Sequence, residues 1–327
     1  MTGHIILHQI EKSSDMPKTK IWVSPLSPFM NDKMKYPRGR NIALAGLAAF
    51  MSLAGGLATQ AADGGKVLVV LSSAQKLQLR DGKTYNTGYY LDELEIPLRK
   101  LVDAGFTPVF ANPKGEDTTY DPVSKDKIFY GNNEEALDDA VKFIADYKEL
   151  HKPKTLQSVL DEGTSGFVGI FIPGGHAPMQ DLSQDATLGK ILSSFHTTGR
   201  PTGVICHGPT ALLSTMSDPA AFRRAMVDGD QLKAASLAAG WPYAGYRLTV
   251  FSSGEEHAIE GKGNQLGGQV QFYAADALSQ AGAHVDRVGL WGVNVIEDRE
   301  VVSGQQPFSS EAFGDAFVKK LKAAKSL

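Results

Sequence analysis

The stretch Val204-Ile205-Cys206-His207-Gly208-Pro209-Thr210-Ala211-Leu212-Leu213 is the part of the chain that best defines its fold. An apolar β-type run ends at a cysteine, and a small, apolar segment that predicts a helix follows His-Gly. Such a strand-to-helix turn, a nucleophile elbow, lifts one side chain out of the sheet edge and directs free helix N–H groups at negative charge formed there. Because a helix N-terminus and a neighbouring imidazole both favour thiolate over thiol, we interpret Cys206 as a reactive nucleophile rather than a buried small hydrophobe.

The composition narrows the class of protein. The chain has 327 residues, 42% hydrophobic and 21% charged, with a formal net charge of −3, which is typical of an ordinary soluble globular protein. Basic runs with interleaved aromatic residues are absent from the sequence, so we expect no nucleic-acid partner. Cys206 is the one cysteine, which excludes an intramolecular disulfide and a cysteine-rich metal site.

The N-terminal part predicts export. Residues 34–40 are a short basic start, residues 42–54 are an apolar run, and small residues lead to Ala61. This pattern predicts a secretory signal peptide at 34–61, and the apolar run is too short and too rich in Gly and Ala to favour a membrane anchor. The expected product is a single domain at 62–327 that is periplasmic or secreted and not membrane-bound after cleavage, with a cytoplasmic location as the alternative. The upstream segment 1–33 does not fit this scheme and is predicted to be non-native or disordered.

The remaining chain alternates strands with helices, without an internal repeat or a linker. This alternation predicts one doubly wound, mostly parallel α/β sheet flanked by helices. The predicted strands are 66–73, 107–111, 166–172, 202–205, 248–251 and 288–296. The predicted helices are 90–104, 134–150, 188–197, 272–281 and 311–324, besides the one after Cys206.

Two further features lie near the predicted nucleophile strand. Gly174-Gly175-His176 follows a buried strand, at the sheet edge where ligands of open α/β folds bind, and its backbone can present an N–H to an oxyanion. A turn-forming glycine pair is the other interpretation, and the residues alone do not decide between them. Glu93, on the first helix, is most simply a solvated helix-face carboxylate; if it were protonated beside Cys206, it would donate a hydrogen bond to the thiolate.

Five segments in order resemble the ThiJ/DJ-1/PfpI superfamily, which has the flavodoxin-like, class I glutamine amidotransferase-like fold. They cover nearly all of residues 66–322, and the branch they resemble most is the glyoxalase III and heat-shock holdase group. The segments are GYYLDELEIP (88–97), FIPGGHAPMQDL (171–182), GVICHGPTALL (203–213), TVFSSGEE (249–256) and VVSGQQPFSS (301–310).

The resemblance implies roles for particular residues. Cys206 is the implied nucleophile, His207 the adjacent general base and Glu93 the protonated carboxyl that hydrogen-bonds the thiol. The backbone of Gly175 and His207 forms the implied oxyanion site, within the substrate-binding segment Gly174-Gly175-His176. Neither a cofactor nor a metal is expected.

The sequence also departs from the branch it resembles. The alignment places Ala244 where an acidic residue should orient the histidine, so the base is expected to be weak. GGHG is replaced by Gly174-Gly175-His176-Ala177, and GQNP by Gly304-Gln305-Gln306-Pro307. An insertion at 218–243 is expected to reshape the mouth of the pocket. His284-Val285-Asp286, which superficially resembles the distant His-x-Glu of true glutaminases, is interpreted as structural, and His257 has no evident companion metal ligands.

Three functions stay open at this point. The first is a cofactor-independent enzyme that acts on small 2-oxoaldehydes such as methylglyoxal, as a glyoxalase III-like lyase (D-lactate dehydratase) or a deglycase. The second is a stress-response holdase in which Cys206 senses oxidation. The third is an amidase or peptidase of the same fold. The expected partner is a small-molecule aldehyde, and because members of this fold often dimerise, a homodimer is left open.

Overall fold

A computed structural model describes residues 64–325; the predictions for 1–33 and 34–61 therefore lie outside the described residues. The strands are β1 (Lys66–Val70), β2 (Lys76–Gln78), β3 (Thr84–Asn86), β4 (Thr107–Asn112), β5 (Lys154–Thr155), β6 (Phe167–Ile172), β7 (Thr202–Ile205), β8 (Arg247–Leu248), β9 (His284–Val285), β10 (Val295–Asp298) and β11 (Val301–Gly304). The α-helices are α1 (Leu91–Asp103), α2 (Glu134–Asp146), α3 (Leu156–Glu162), α4 (Ala177–Gln180), α5 (Ala186–Thr197), α6 (Pro219–Asp228), α7 (Gln231–Leu237), α8 (Ser253–Ile259), α9 (Ala274–Gln280) and α10 (Ser310–Lys325).

Within 64–325 the central sheet has seven strands in the order β10-β11-β7-β6-β1-β4-β5. Every pairing in it is parallel except that of β10 with β11, at one edge. The predicted doubly wound, mostly parallel sheet is confirmed. The carboxyl ends of β6 and β7, which are neighbours, carry the two segments that the sequence singled out.

Strand β1 shows why helices cover both faces of the sheet. Val67 and Val69 contribute to one buried cluster, with the apolar residues of α1 and α10, whereas Leu68 and Val70 contribute to the opposite one, with those of α5. Because successive strand side chains point to opposite faces, a strand with apolar residues at every position must be covered twice. Among the described residues, no helix is both long enough and apolar enough to cross a membrane.

Two predicted strands are much shorter than expected. The strand expected at 248–251 ends at Leu248, because the N–H groups of Thr249 and Phe251 donate to the Ser303 hydroxyl and the Cys206 carbonyl. Most of 288–296 is a loop held by side chains: the N–H of Val288 donates to Gln305 and that of Trp291 to Glu255. In both segments apolar residues line the cavity beside Cys206 instead of extending the sheet.

The helix after Cys206 is a 3-10 helix, Gly208–Thr215, where the sequence predicted an ordinary helix start. Its hydrogen bonds span three residues, as from the Thr210 N–H to the His207 carbonyl. The hydroxyls of Thr210 and Ser214 also donate to carbonyls three residues earlier, which favours the tighter winding.

Candidate active site

Cys206 adopts a backbone conformation that few residues tolerate. It has a φ of +58°, in the left-handed region, directly after β7. Such a residue costs roughly 1–3 kcal/mol and persists only where its surroundings fix it. Here the Cys206 N–H donates to the Gly304 carbonyl at 2.9 Å, and the Phe251 N–H donates to the Cys206 carbonyl at 2.9 Å. The predicted nucleophile elbow is therefore present, and β11 and the segment after β8 hold it in place.

Gly174 and Gly175 allow the end of β6 to approach the thiol. A Cβ atom at Gly174 would lie 2.4 Å from the Cys206 Cβ and 2.5 Å from Oε2 of Glu93. Gly175 has a φ of +80°, and a Cβ there would lie 2.2 Å from the Gly88 carbonyl oxygen. The glycine pair is thus required by close packing around Cys206, which favours the functional interpretation over that of a simple turn.

A hydrogen-bonded chain runs from the thiol through His207 to a carboxylate and a second histidine. Sγ of Cys206 lies 3.3 Å from Nδ1 of His207, and Nε2 of His207 lies 2.7 Å from Oε2 of Glu256. The other carboxylate oxygen of Glu256, Oε1, lies 2.8 Å from Nε2 of His176. All four side chains are buried.

The negative charge of Glu256 fixes the tautomers of both histidines. Burial opposes the Glu256 carboxylate, but the two imidazoles outweigh it and hold the pKa of Glu256 below its usual range. An ionised carboxylate only accepts, so both Nε2 atoms donate to it. Burial and the nearby His176 lower the pKa of His207 to about 4, so its imidazole is neutral and its Nδ1 carries a lone pair facing the thiol. Burial also lowers the pKa of His176, but the Glu256 carboxylate raises it further, with a net upward shift.

Glu93 is the buried carboxyl that lies next to the Cys206 thiol. It is fully buried at the start of α1, and burial, followed by the adjacent Asp92 carboxyl, raises the pKa of Glu93 well above its usual range. The groups that stabilise its ionised form are the Cys206 thiol and the backbone of Gly175 and Gly174. A neutral carboxyl next to Cys206 can donate a hydrogen bond to sulfur, which is the role that the resemblance implied.

The resting thiol differs from the sequence expectation. Burial raises the pKa of Cys206 well above its ordinary value, although the backbone N–H groups of Gly175 and His207 act in the opposite direction. The expected preference for thiolate is therefore wrong for the resting state, because the sulfur is enclosed and a carboxyl, not a cation, lies beside it. The neutral thiol instead faces a neutral base, and the same two N–H groups are placed to stabilise an anion when one forms.

The expectation that Ala244 replaces the orienting acid is wrong. Ala244 lies against Gly282, and Glu256 orients His207. Sequence reasoning missed Glu256 although it ends the quoted segment TVFSSGEE. A usable signal was present: Ser252 and Glu255 form a capping box that starts α8 just beyond the sheet edge, which places Glu256 in its first turn.

Other singled-out segments lie outside this group. His284 begins β9, and Asp286 pairs with Arg247, in agreement with a structural role. His257 packs edge-on against Tyr273. No residue of the insertion at 218–243 is among the described residues that line the cavity beside Cys206, so its expected effect on the pocket mouth is wrong.

A cavity of about 360 Å³ adjoins the thiol. The predicted residues Gly175, His176, Cys206 and His207 line it, and most of the other lining side chains are apolar or aromatic. Among the described residues, His176, His207 and Glu256 form a group whose ligand atoms lie within 4.8 Å of one another, as a metal site would require. In this arrangement both Glu256 oxygens already accept hydrogen bonds from imidazoles, so a metal ion would have to replace them.

The close packing at Gly174 yields a first prediction. Gly174→Ala is expected to destabilise the fold by about 1–3 kcal/mol, through overpacking against Cys206 and Glu93, and to lower activity at least tenfold by displacing the thiol. Gly166→Ala is the matched control, at the other end of β6, where an added Cβ meets nothing within 4 Å; its effect is expected to stay within about 0.5 kcal/mol. Urea unfolding of both variants measures this, and equal stabilities would contradict the packing argument.

The fold and this site, with a cysteine at a strand-to-helix turn, are similar to those of known proteins. Residues 92–218 match the model of the DJ-1/PfpI family. The protein/nucleic acid deglycase HchA of Staphylococcus aureus is 26% identical over 259 residues, covering 78% of this chain and 80% of that protein.

Solved structures support the fold. Rapid Encystment Protein 24 KDa from Francisella tularensis superposes with a TM-score of 0.60 at 23% identity, covering 79% of this chain and 99% of that one. Glyoxalase III from Candida albicans superposes with a TM-score of 0.54 at 20% identity, covering 79% of this chain and 98% of that one.

Proposed function

We propose that this protein is a cofactor-independent enzyme that converts small 2-oxoaldehydes, as a glyoxalase III-like lyase or a deglycase. The observation that carries the proposal is the hydrogen-bonded chain Cys206–His207–Glu256, with the buried Glu93 carboxyl, whose pKa is raised, next to the thiol. It supplies a nucleophile, an oriented base and an anion site, which are the parts that a cofactor-free reaction of an aldehyde needs. A relative named as a protein/nucleic acid deglycase supports the deglycase alternative.

The reaction begins with addition of the thiol to the aldehyde carbon. His207 accepts the thiol proton at Nδ1 as the C–S bond forms, and the N–H groups of Gly175 and His207 stabilise the new oxyanion, which is then protonated. In the lyase reaction His207 next moves the proton of C1 to C2 through an enediol, which leaves a 2-hydroxyacyl thioester on Cys206. Water hydrolyses the thioester, so that methylglyoxal plus water gives lactate and the free thiol.

Product analysis with the purified full chain tests the proposal. Methylglyoxal is expected to disappear with stoichiometric formation of lactate, whose configuration D- and L-specific lactate dehydrogenases report. Release of arginine from its methylglyoxal adduct, faster than the adduct dissociates by itself, would instead identify a deglycase. Absence of both reactions would contradict the proposed function.

A holdase is the second candidate, favoured by apolar side chains exposed near the cavity. Val123, Ile128 and Trp291 line the cavity yet are 42%, 47% and 40% exposed, and Leu290 is 55% exposed. Exposed apolar patches mark sites of interaction with other proteins, which a holdase would use for unfolded clients. Full suppression of client aggregation by Cys206→Ala, without aldehyde turnover in the unmodified protein, would favour the holdase over the enzyme.

We further propose export through the signal peptide at 34–61. The support is the pattern of a basic start, a short apolar run and a small-residue exit. N-terminal sequencing of the protein recovered from cell fractions tests it: a chain that begins near Ala62 outside the cytoplasm is expected, and an uncleaved cytoplasmic chain would contradict it.

A further inference from the structure

Two groups of aromatic rings line the cavity beside the thiol. The first, which we call the first wall, is Tyr90, Phe129 and Phe308: the ring centroids of Tyr90 and Phe129 are 5.3 Å apart and those of Phe129 and Phe308 are 5.4 Å apart. The second wall is Phe251 and Trp291, whose centroids are 5.9 Å apart, and Phe251 lies 4.7 Å from the His207 ring. All five residues line the cavity that contains Cys206.

Hydrogen bonds fix the loop that carries Trp291 in the second wall. Trp291 has a φ of +62°, which an aromatic residue rarely adopts, and its N–H donates to Glu255 at 2.9 Å. Gln305 donates to the same Glu255 carboxylate, and Gln306 donates to the Gly292 carbonyl. The segment Gly304-Gln305-Gln306-Pro307, noted as a departure in the sequence, therefore fixes the loop that carries Trp291.

The cavity is larger and less polar than a three-carbon aldehyde requires. Its volume of about 360 Å³ lies in the range of pockets that hold drug-sized ligands, about 300–1,000 Å³. Among the described residues that line it, none is a lysine or arginine, and Asp126 is the one carboxylate. A substrate carboxylate would find no lysine or arginine to pair with there, whereas a flat apolar group would contact the aromatic rings that line the cavity.

We propose that the site selects uncharged 2-oxoaldehydes that carry a bulky, apolar substituent, above all an aromatic one, over methylglyoxal and over anionic analogues such as glyoxylate. This inference rests on the proposed function and names its substrate class. The aldehyde carbon meets Sγ of Cys206, and the substituent lies between the two walls. The balanced reaction is that of phenylglyoxal plus water giving mandelate, with the same transfer of the C1 proton to C2.

Turnover of phenylglyoxal, methylglyoxal and glyoxylate tests the selectivity. One methylene in a fitted apolar pocket changes kcat/KM by roughly 10- to 200-fold, so kcat/KM for phenylglyoxal is expected to exceed that for methylglyoxal by at least about 10-fold. Each value is first divided by the reactivity of the same aldehyde with glutathione. Trp291→Ala is expected to lower this ratio several-fold, whereas Leu232→Ala, at a side chain 87% exposed, is expected to leave it unchanged. Equal or greater turnover of methylglyoxal would overturn the inference and leave the proposed function standing.

Alkylation of Cys206 tests the pocket without relying on turnover. Phenacyl chloride and chloroacetone carry the same two substituents on an α-halo ketone, and either forms a C–S bond to Cys206 with loss of chloride. The ratio of their rates, normalised to glutathione, is expected to be at least about 10 in the unmodified protein. If no 2-oxoaldehyde turns over, the proposed function fails, and the ratio of alkylation rates alone tests the selectivity of the pocket. A ratio of about 10 or more supports the preference for an aromatic substituent, and a ratio near 1 overturns it.

Discussion

Replacement of Cys206 by alanine is expected to abolish aldehyde turnover, with a loss in kcat/KM of about 10⁴-fold or more. Removal of a nucleophile eliminates the covalent route completely, so that only binding and the anion site contribute to the remaining rate. The sequence contains no other cysteine that could substitute for it. The measurement is methylglyoxal consumption and lactate formation by the purified variant at neutral pH.

The controls separate loss of chemistry from loss of structure. Alanine at position 206 retains the positive φ and occupies less volume than cysteine, so the thermal midpoint is expected to change by only a few degrees. Cys206→Ser, which preserves the shape of the side chain but replaces the sulfur with a weak oxygen nucleophile, is expected to be similarly inactive. Activity within tenfold of the unmodified protein in either variant would contradict the assignment of Cys206 as the nucleophile.

Glu256→Gln is expected to lower kcat by about 10²- to 10⁴-fold with a small change in KM. This is the usual contribution of general acid–base catalysis, and its upper end is the loss seen when the orienting acid of a catalytic triad is replaced by its amide. The amide nitrogen of glutamine would donate to one imidazole instead of accepting from it. If that imidazole is His207, its Nε2 becomes the acceptor, Nδ1 holds the proton, and no lone pair faces Sγ of Cys206. Substrate contacts stay intact, because Glu256 is not among the residues that line the cavity.

The pH profile adds a second readout. Because the pKa of His207 is lowered to about 4, the base is neutral over the range from pH 5 upward, and its protonation reduces activity only as pH falls through about 4. Without the Glu256 carboxylate the imidazolium loses its counterion, so this acidic limb is expected to shift to still lower pH. Glu135→Gln, on the exposed surface at the start of α2, is the matched control and is expected to leave both kcat and the profile unchanged. A kcat for Glu256→Gln within threefold of the unmodified protein would contradict the role of Glu256.

The fold was accessible from the sequence where each element carries its own signal. β7 has the predicted bounds, and β6 begins one residue later than predicted, because a continuous apolar run bounded by turn residues specifies a buried parallel strand without long-range information. Cys206 was found for the same reason, since the elbow is encoded within a few residues of it. The short length of β8 and the loop before β10 were not predicted. Their backbone N–H groups donate to the side chains of Ser303, Gln305 and Glu255, which are distant in sequence, instead of to a neighbouring strand.

The partners of Cys206 were harder to predict because the fold brings them together from distant segments. Glu93 precedes Cys206 by more than a hundred residues, and nothing local distinguishes its carboxyl from that of a solvated helix face; only the fold encloses it. Glu256 was missed because an alignment across the insertion at 218–243 placed the acid at Ala244. The aromatic walls come from five separate segments, whose common location depends on the sheet order.

The central claim is that Cys206 carries the substrate covalently during turnover. Rapid acid quenching of a single turnover, with the protein in excess over methylglyoxal, followed by peptide mass spectrometry, tests it most directly. The account predicts a transient increase of one methylglyoxal mass on the peptide containing Cys206, which rises before lactate appears and is absent in Cys206→Ala. Formation of lactate at the same rate with no such adduct on Cys206 at any time would contradict it.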